Sequence, residues 1–158
     1  MAITKEEFRH ALGKFASGVT VVTTKDKTGK LFGITVSAFC SVSLEPPLIL
    51  VCIEKDTGSH HAFQQSGAFV VNILHENQQE ISNHFASHPA NKFTEISYHL
   101  GIENLPVLDN VLVNLECRLH NSYEGGDHTI FVGEIERATV NEENPLVYWH
   151  GDYKNLSN

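Results

Sequence analysis

Basic residues are scarce in this chain. Against 19 Asp and Glu it carries 11 Lys and Arg, for a formal charge of -8. Those few cations are scattered, so the clusters that a nucleic-acid backbone demands are missing, and nucleic acid is excluded as the main partner. A single phosphate on a small ligand needs only one or two cations and some backbone N–H groups, and that option stays open. Long apolar runs are lacking too: none approaches the roughly 20 residues of a membrane span. The opening Met1-Ala2-Ile3-Thr4-Lys5-Glu6-Glu7 has neither the basic start nor the apolar stretch of a secretory signal, so a cytoplasmic setting away from membranes is expected. Cysteine is limited to Cys40, Cys52 and Cys117. Odd in number and far apart, they form no disulfide framework or CxxC pair, and buried free thiols are expected. There is no GxGxxG after a strand, no GxxxxGK[ST], no GxSxG and no HExxH. A permanent Rossmann dinucleotide site is therefore not indicated.

What the chain does have is a globular balance, 41% hydrophobic and 19% charged, over 158 residues. That length suits one domain spanning 1–158. Phe8, Ala11, Leu12 and Phe15 share one helical face, and Thr4 with Glu7 forms a capping-box pattern at its start. Val19 to Thr24 is β-branched throughout and reads as a strand, with a turn at 26–30 and a partner from Leu31 to Val36. Leu48 to Ile53 reads as a strand buried on both faces, and Ala68 to Leu74 as another. Short helices are expected at 60–64 and 78–86. Residues 87–110 look loop-rich. Val111–Tyr123 and His128–Val140 form a second hairpin, and Leu146–Trp149 is a last short strand. Six or seven strands without βα alternation argue for an antiparallel barrel or sandwich with peripheral helices.

Two segments are chemically unusual. Gly33 to Pro47 is rich in small and hydroxylated residues and ends in Pro46-Pro47. Hydroxyls and exposed N–H groups at a strand exit suit the polar edge of a flat ring, although a Ser-rich turn capping its own backbone has the same composition. Gly125-Gly126-Asp127-His128 offers either an imidazole oriented by its aspartate at a site rim or a plain hairpin turn with an exposed histidine. His84 and His88 could share a helix face, but no carboxylate or thiolate falls at matching spacing, so no metal site is expected.

Five ordered blocks then carry a resemblance. They are Phe8 to Thr23, Ser41-Val42-Ser43-Leu44-Glu45-Pro46-Pro47-Leu48, Phe69 to Leu74, Gly126 to Glu134, and Pro145-Leu146-Val147-Tyr148. In order and spacing they resemble the flavin reductase family with the FMN-binding split barrel, which includes reductase components of two-component monooxygenases. The resemblance implies a mainly β, antiparallel Greek-key split barrel with peripheral helices, assembled as a homodimer with FMN near the subunit interface. It implies isoalloxazine contacts at Thr35, Ser37, Ala38, Ser41, Val42 and Ser43, with Cys52 on the adjoining strand. It places phosphate contacts at Ser59, Phe85 and Lys92, and a nicotinamide-positioning role at His128. NADH or NADPH would bind transiently, with FAD an alternative to FMN. The implied activity is NAD(P)H-dependent reduction of flavin, supplying a partner oxygenase or other acceptor. The alternatives are a flavoredoxin-like electron carrier and a non-catalytic flavin-binding module. Two departures stand out: Ser37-Ala38 replaces the Asn-Ser of many relatives, and Tyr148-Trp149-His150-Gly151-Asp152-Tyr153 lacks their arginine.

Overall fold

β-Branched and aromatic stretches set the architecture of the computed structural model, which describes residues 2–89 and 91–156. Seven strands form one antiparallel sheet: β2 (Thr20–Lys25), β3 (Leu31–Val36), β4 (Phe39–Ser43), β5 (Leu48–Glu54), β6 (Ala68–Ile73), β9 (Val113–Gly125) and β10 (His128–Val140). Their order is β3-β2-β6-β9-β10-β5-β4, so the sheet curls until the free edge of β3 comes up against β5 without pairing with it. The barrel is split there. β1 (Ser17–Gly18) pairs with β11 (Val147–Trp149), which pairs with β12 (Asp152–Lys154). β7 (Tyr98–Leu100) and β8 (Pro106–Leu108) form a separate ladder. The helices are α1 (Lys5–Leu12), α2 (His60–Ser66) and α3 (Gln79–Ala86).

The barrel interior is filled by Val22, Ile49, Val51, Phe63, Phe69 and Phe131 among others, with Phe63 contributed by α2. Each large side chain taken out of water there stabilises the fold by about 1.5–3 kcal/mol. β2 and β6 are buried on both faces: a second cluster containing Val21, Leu74, Phe85 and Leu146 covers the outer side of β2, and a third, Ala68 and Val70 with Leu105 and Val107, covers that of β6. Their buried polar groups are all met. Asn72 donates to the Val21 carbonyl at 2.9 Å and accepts from the Leu108 N–H at 3.0 Å and the Asn114 amide at 2.9 Å. An unpaired amide at this depth would cost more than the bonds return.

Several expectations need correction. The capping box is present, with the Glu7 N–H donating to Thr4 Oγ1 at 3.1 Å and the Thr4 N–H to Glu7 Oε2 at 2.8 Å. Yet α1 stops at Leu12, Phe15 lies beyond it, and no residue of the helix is buried. β5 alternates rather than being buried on both faces: Ile49, Val51 and Ile53 point inward, while Leu48, Leu50 and Cys52 are only half-buried. The hydroxyl-rich segment contains a true strand, β4, which ends before the prolines. Residues 87–110 hold β7, a 3-10 turn at Ile102–Asn104 and β8, short elements that leave no periodic signal. Of the thiols only Cys117 is buried, and Cys40 is exposed.

Candidate functional site

β3 starts from a turn built by one carboxylate. Asp26 Oδ1 accepts the Thr28 N–H at 2.8 Å, the Thr28 hydroxyl at 2.7 Å and the Lys30 N–H at 3.0 Å, and these bonds, led by the Thr28 hydroxyl, hold its pKa below the usual range. β3 then runs to the corner Ser37–Ala38 and bends into β4. The β4–β5 register closes at this corner, where the Cys52 N–H donates to the Ala38 carbonyl at 3.0 Å. Past it, β3 and the chain leaving β5 separate. The gap between them is a cavity of about 670 Å³, walled by residues 30–35 on one side and by Glu54 and residues 57–59 on the other.

The third wall is the end of α3 and the segment after it. α3 lies directly on β3 because Gly33 has no side chain: a Cβ there would sit 2.6 Å from a ring carbon of Phe85. The Thr35 hydroxyl donates to the Ser82 carbonyl at 2.6 Å, tying the same pair of elements together. Lys92 reaches back under this contact. Its Nζ donates to the Phe85 carbonyl at 2.7 Å, an end group of α3, and to the Gly33 carbonyl at 3.0 Å, on the open edge of β3. Its own carbonyl lies 2.7 Å from His84 Nε2. Burial pushes the Lys92 pKa down, and among the described residues no carboxylate pairs with it. A half-buried cation held by two neutral carbonyls, with one ammonium hydrogen uncommitted, is suited to an anionic ligand group.

Of the residues singled out from sequence, Thr35, Ser59, Phe85 and Lys92 meet on the cavity wall. Ser59 is buried and makes no side-chain cap to α2, so its hydroxyl is available there. Ser37 and Ala38 form an exposed corner past the end of β3 and do not line the cavity. Ser41, Val42 and Ser43 lie on β4 and Cys52 on β5, outside that wall, with Val42 at the irregularity between Ser41 and Ser43. None of the serine hydroxyls at 37, 41 and 43 bonds a protein group among the described residues, so these side chains are not spent on capping their own turn. Sequence reasoning missed Lys30, Phe32, Glu54, His88 and Asn91, which also line the cavity. For Lys30 and Phe32 the turn-to-strand pattern was a usable signal, whereas the loop holding His88 and Asn91 offered none.

His128 opens β10 and does not line the cavity. In the ladder it stands opposite Glu54, which does. Its Nδ1 lies 2.7 Å from Asp127 Oδ1, and this contact is the first cause of the lowered Asp127 pKa. The hairpin tip is pinned to the end of β5: the Lys55 N–H donates to the Asp127 carbonyl at 2.9 Å, and its ammonium bonds the Gly126 carbonyl at 2.8 Å and pairs with Glu124. His60 Nε2 lies 2.8 Å from the Thr129 hydroxyl just behind. Two of the three thiols are disfavoured as nucleophiles. Burial pushes Cys117 up to about 12 and raises Cys52 as well, with Cys40 adding to the latter. Among the described residues no His, Cys, Asp and Glu cluster could hold a metal, and His84 is engaged by the Lys92 carbonyl.

Residues 12–157 match the family model described as a flavin reductase like domain. The chain is 39% identical over 151 residues to the reductase component of the 4-nitrophenol 4-monooxygenase/4-nitrocatechol 2-monooxygenase of Rhodococcus opacus, covering 96% of this chain and 80% of that one. It is 39% identical over 145 residues to a "Probable flavin reductase" of Rhizobium meliloti (strain 1021). That match covers 92% of this chain but 47% of the relative, so the chain spans about half of that protein's length. Among solved structures, the NADH:FAD oxidoreductase SgcE6 of Streptomyces globisporus, in complex with NAD and FAD fragments, superposes with a TM-score of 0.91 at 34% identity, covering 99% of this chain and 98% of that one. This chain belongs to the flavin reductase family.

Proposed function

We propose that the chain is an NAD(P)H:flavin oxidoreductase whose flavin lies in the cleft between β3 and the segment after β5. The observation that carries this reading is Lys92, a half-buried ammonium with no acidic partner among the described residues, held on the cavity wall by the Gly33 and Phe85 carbonyls. Lys92 and the Ser59 hydroxyl take the phosphate of FMN, or the equivalent phosphate of FAD, and Phe85 backs it. Thr35, the Ser37–Ala38 corner and the uncapped hydroxyls of Ser41 and Ser43, with Val42 between them, border the flat ring, and Cys52 lies on the neighbouring strand. Bound flavin supplies the redox chemistry by accepting hydride at N5. The chain's own work is to orient and to exclude. Backbone N–H groups of residues 41–43 stabilise negative charge at the ring's carbonyl edge. His128, held by Asp127, positions the nicotinamide, and no side-chain base is needed for hydride transfer.

Residues 1–158 act as one flavin reductase-like domain in this reading, cytoplasmic, with reduced flavin passing to a partner oxygenase or another acceptor. A homodimer is part of the proposal. Phe8, Leu12 and Phe15 are 54%, 53% and 79% exposed, an apolar face too large to leave in water without purpose. The test is NADH and NADPH oxidation, measured in parallel with and without added FMN. Steady turnover that depends on free flavin supports the reductase. A tightly yellow protein that is bleached by a protein donor but turns over neither nucleotide would mark an electron carrier instead.

A further inference from the structure

Two of the three cysteines share one face of the sheet. Phe39 packs into the barrel core from β4, and Ile49, Val51 and Ile53 point inward from β5. Because side chains alternate along a strand, Cys40 and Cys52 both project from the opposite, outer face. The register fixes their spacing. Cys40 stands across from Leu50, and Cys52 across from Ala38, whose carbonyl accepts its N–H at 3.0 Å. The two are therefore diagonal neighbours, with Cα atoms about 7–8 Å apart and Cβ atoms closer. Burial, and after it the charge of Cys40, raises the Cys52 pKa, so the groups lie within electrostatic reach. Disulfides span Cα separations of roughly 4.4–6.8 Å, and closing this pair takes a shift of about 1 Å. β4 is free to make it. It is the edge strand of the sheet, paired with β5 alone, and its ladder is already irregular between Ser41 and Ser43. Cys40 is exposed and Cys52 half-buried beside it.

We propose that Cys40 and Cys52 form a redox-modification site, a reversible disulfide that displaces β4 and weakens flavin binding. The oxidant is hydrogen peroxide, which forms when reduced flavin meets dioxygen instead of its acceptor. The Cys40 sulfur attacks one peroxide oxygen and the O–O bond breaks. The thiol proton joins the departing hydroxide as water, and Cys40 becomes a sulfenic acid. The Cys52 sulfur then attacks the Cys40 sulfur, and the hydroxyl leaves with the Cys52 proton as a second water. Two thiols are oxidised to one S–S bond, and one peroxide is reduced to two waters. A bond closed against the relaxed spacing of its strands is readily reduced again by a small thiol. The effect on flavin rests on the reading of Ser41, Val42 and Ser43 as ring contacts, since they follow Cys40 directly.

The experiment treats wild type and Cys40→Ser with hydrogen peroxide and counts thiols after denaturation. Non-reducing peptide mass spectrometry maps the bonds, and fluorescence titration gives FMN affinity before and after. Cys40 is exposed, so the variant leaves the core untouched. In wild type two of the three thiols should be lost, with Cys40 joined to Cys52 within one chain and Cys117 free. FMN affinity should then fall roughly threefold to tenfold, the scale of one lost hydrogen bond, and return with dithiothreitol. Cys40→Ser should keep both remaining thiols and its FMN affinity through the same treatment. Oxidation that stops at Cys40, or that links Cys40 between two chains, would overturn the pair. A Cys40–Cys52 bond that leaves FMN affinity unchanged would overturn its connection to the site. Failure of the reduced wild type to bind FMN overturns the flavin reading instead, and the thiol count still reads the pair.

Discussion

At the scale of single residues the account turns on charge. Lys92 must be an ammonium to hold a phosphate, and burial lowers its pKa. Its folded-state value lies below that of the unfolded chain, so between the two the unfolded chain holds more protons, and the residue's contribution to stability rises with pH across that window. Phosphate binding runs the other way: it is intact below the depressed pKa and lost as pH rises through it. The ratio of the riboflavin to the FMN dissociation constant is therefore expected to fall toward one as pH rises, and to do so at a pH below the ordinary lysine range. In Lys92→Gln the FMN affinity should drop about tenfold, the scale of a charge-assisted hydrogen bond, with riboflavin little changed. Fluorescence titration of the two flavins across pH checks both. At His128 the expectation is separable: His128→Ala raises the NAD(P)H requirement while FMN affinity stays nearly constant. A large loss of FMN binding in that variant would move His128 into the flavin site.

At the scale of elements, the site depends on α3 lying flat against β3. Gly33→Ala puts a methyl group into the Phe85 ring, at a cost of roughly 1–3 kcal/mol for overpacking. Because the Phe85 carbonyl anchors Lys92, the same variant should also bind FMN more weakly. A urea midpoint and an FMN titration read the two effects. Here the limits of the sequence also show. The β-branched runs of β2, β6 and β10 and the Thr4–Glu7 cap were legible, because period and capping are local properties. The exposed face of α1 was not, since amphipathicity says that a face is apolar and not that its own barrel covers it. Nor was the path of residues 87–110, whose short elements are placed by contacts such as the Ser97 hydroxyl to Asp109 at 2.7 Å. Lys92 could be marked from the family resemblance as the nearby cation, but its grip on the Gly33 and Phe85 carbonyls follows from tertiary placement alone.

At the scale of the molecule, seven strands curl into a barrel that fails to close between β3 and β5, and the gap left there is the cavity proposed to take the flavin. The elements on either side of the split are fixed by the rest of the fold: β3 by its ladder with β2, and the β5 end by the pinned tip of the β9–β10 hairpin. The cleft is thus largely formed before any ligand arrives, which spares the ordering cost of binding. The most direct measurement is a crystal structure of the chain with FMN. The account predicts the phosphate within hydrogen-bonding distance of Lys92 Nζ and the ring at the Ser37–Ala38 corner. A flavin bound elsewhere on the barrel, with Lys92 still engaged only by its two carbonyls, would contradict it.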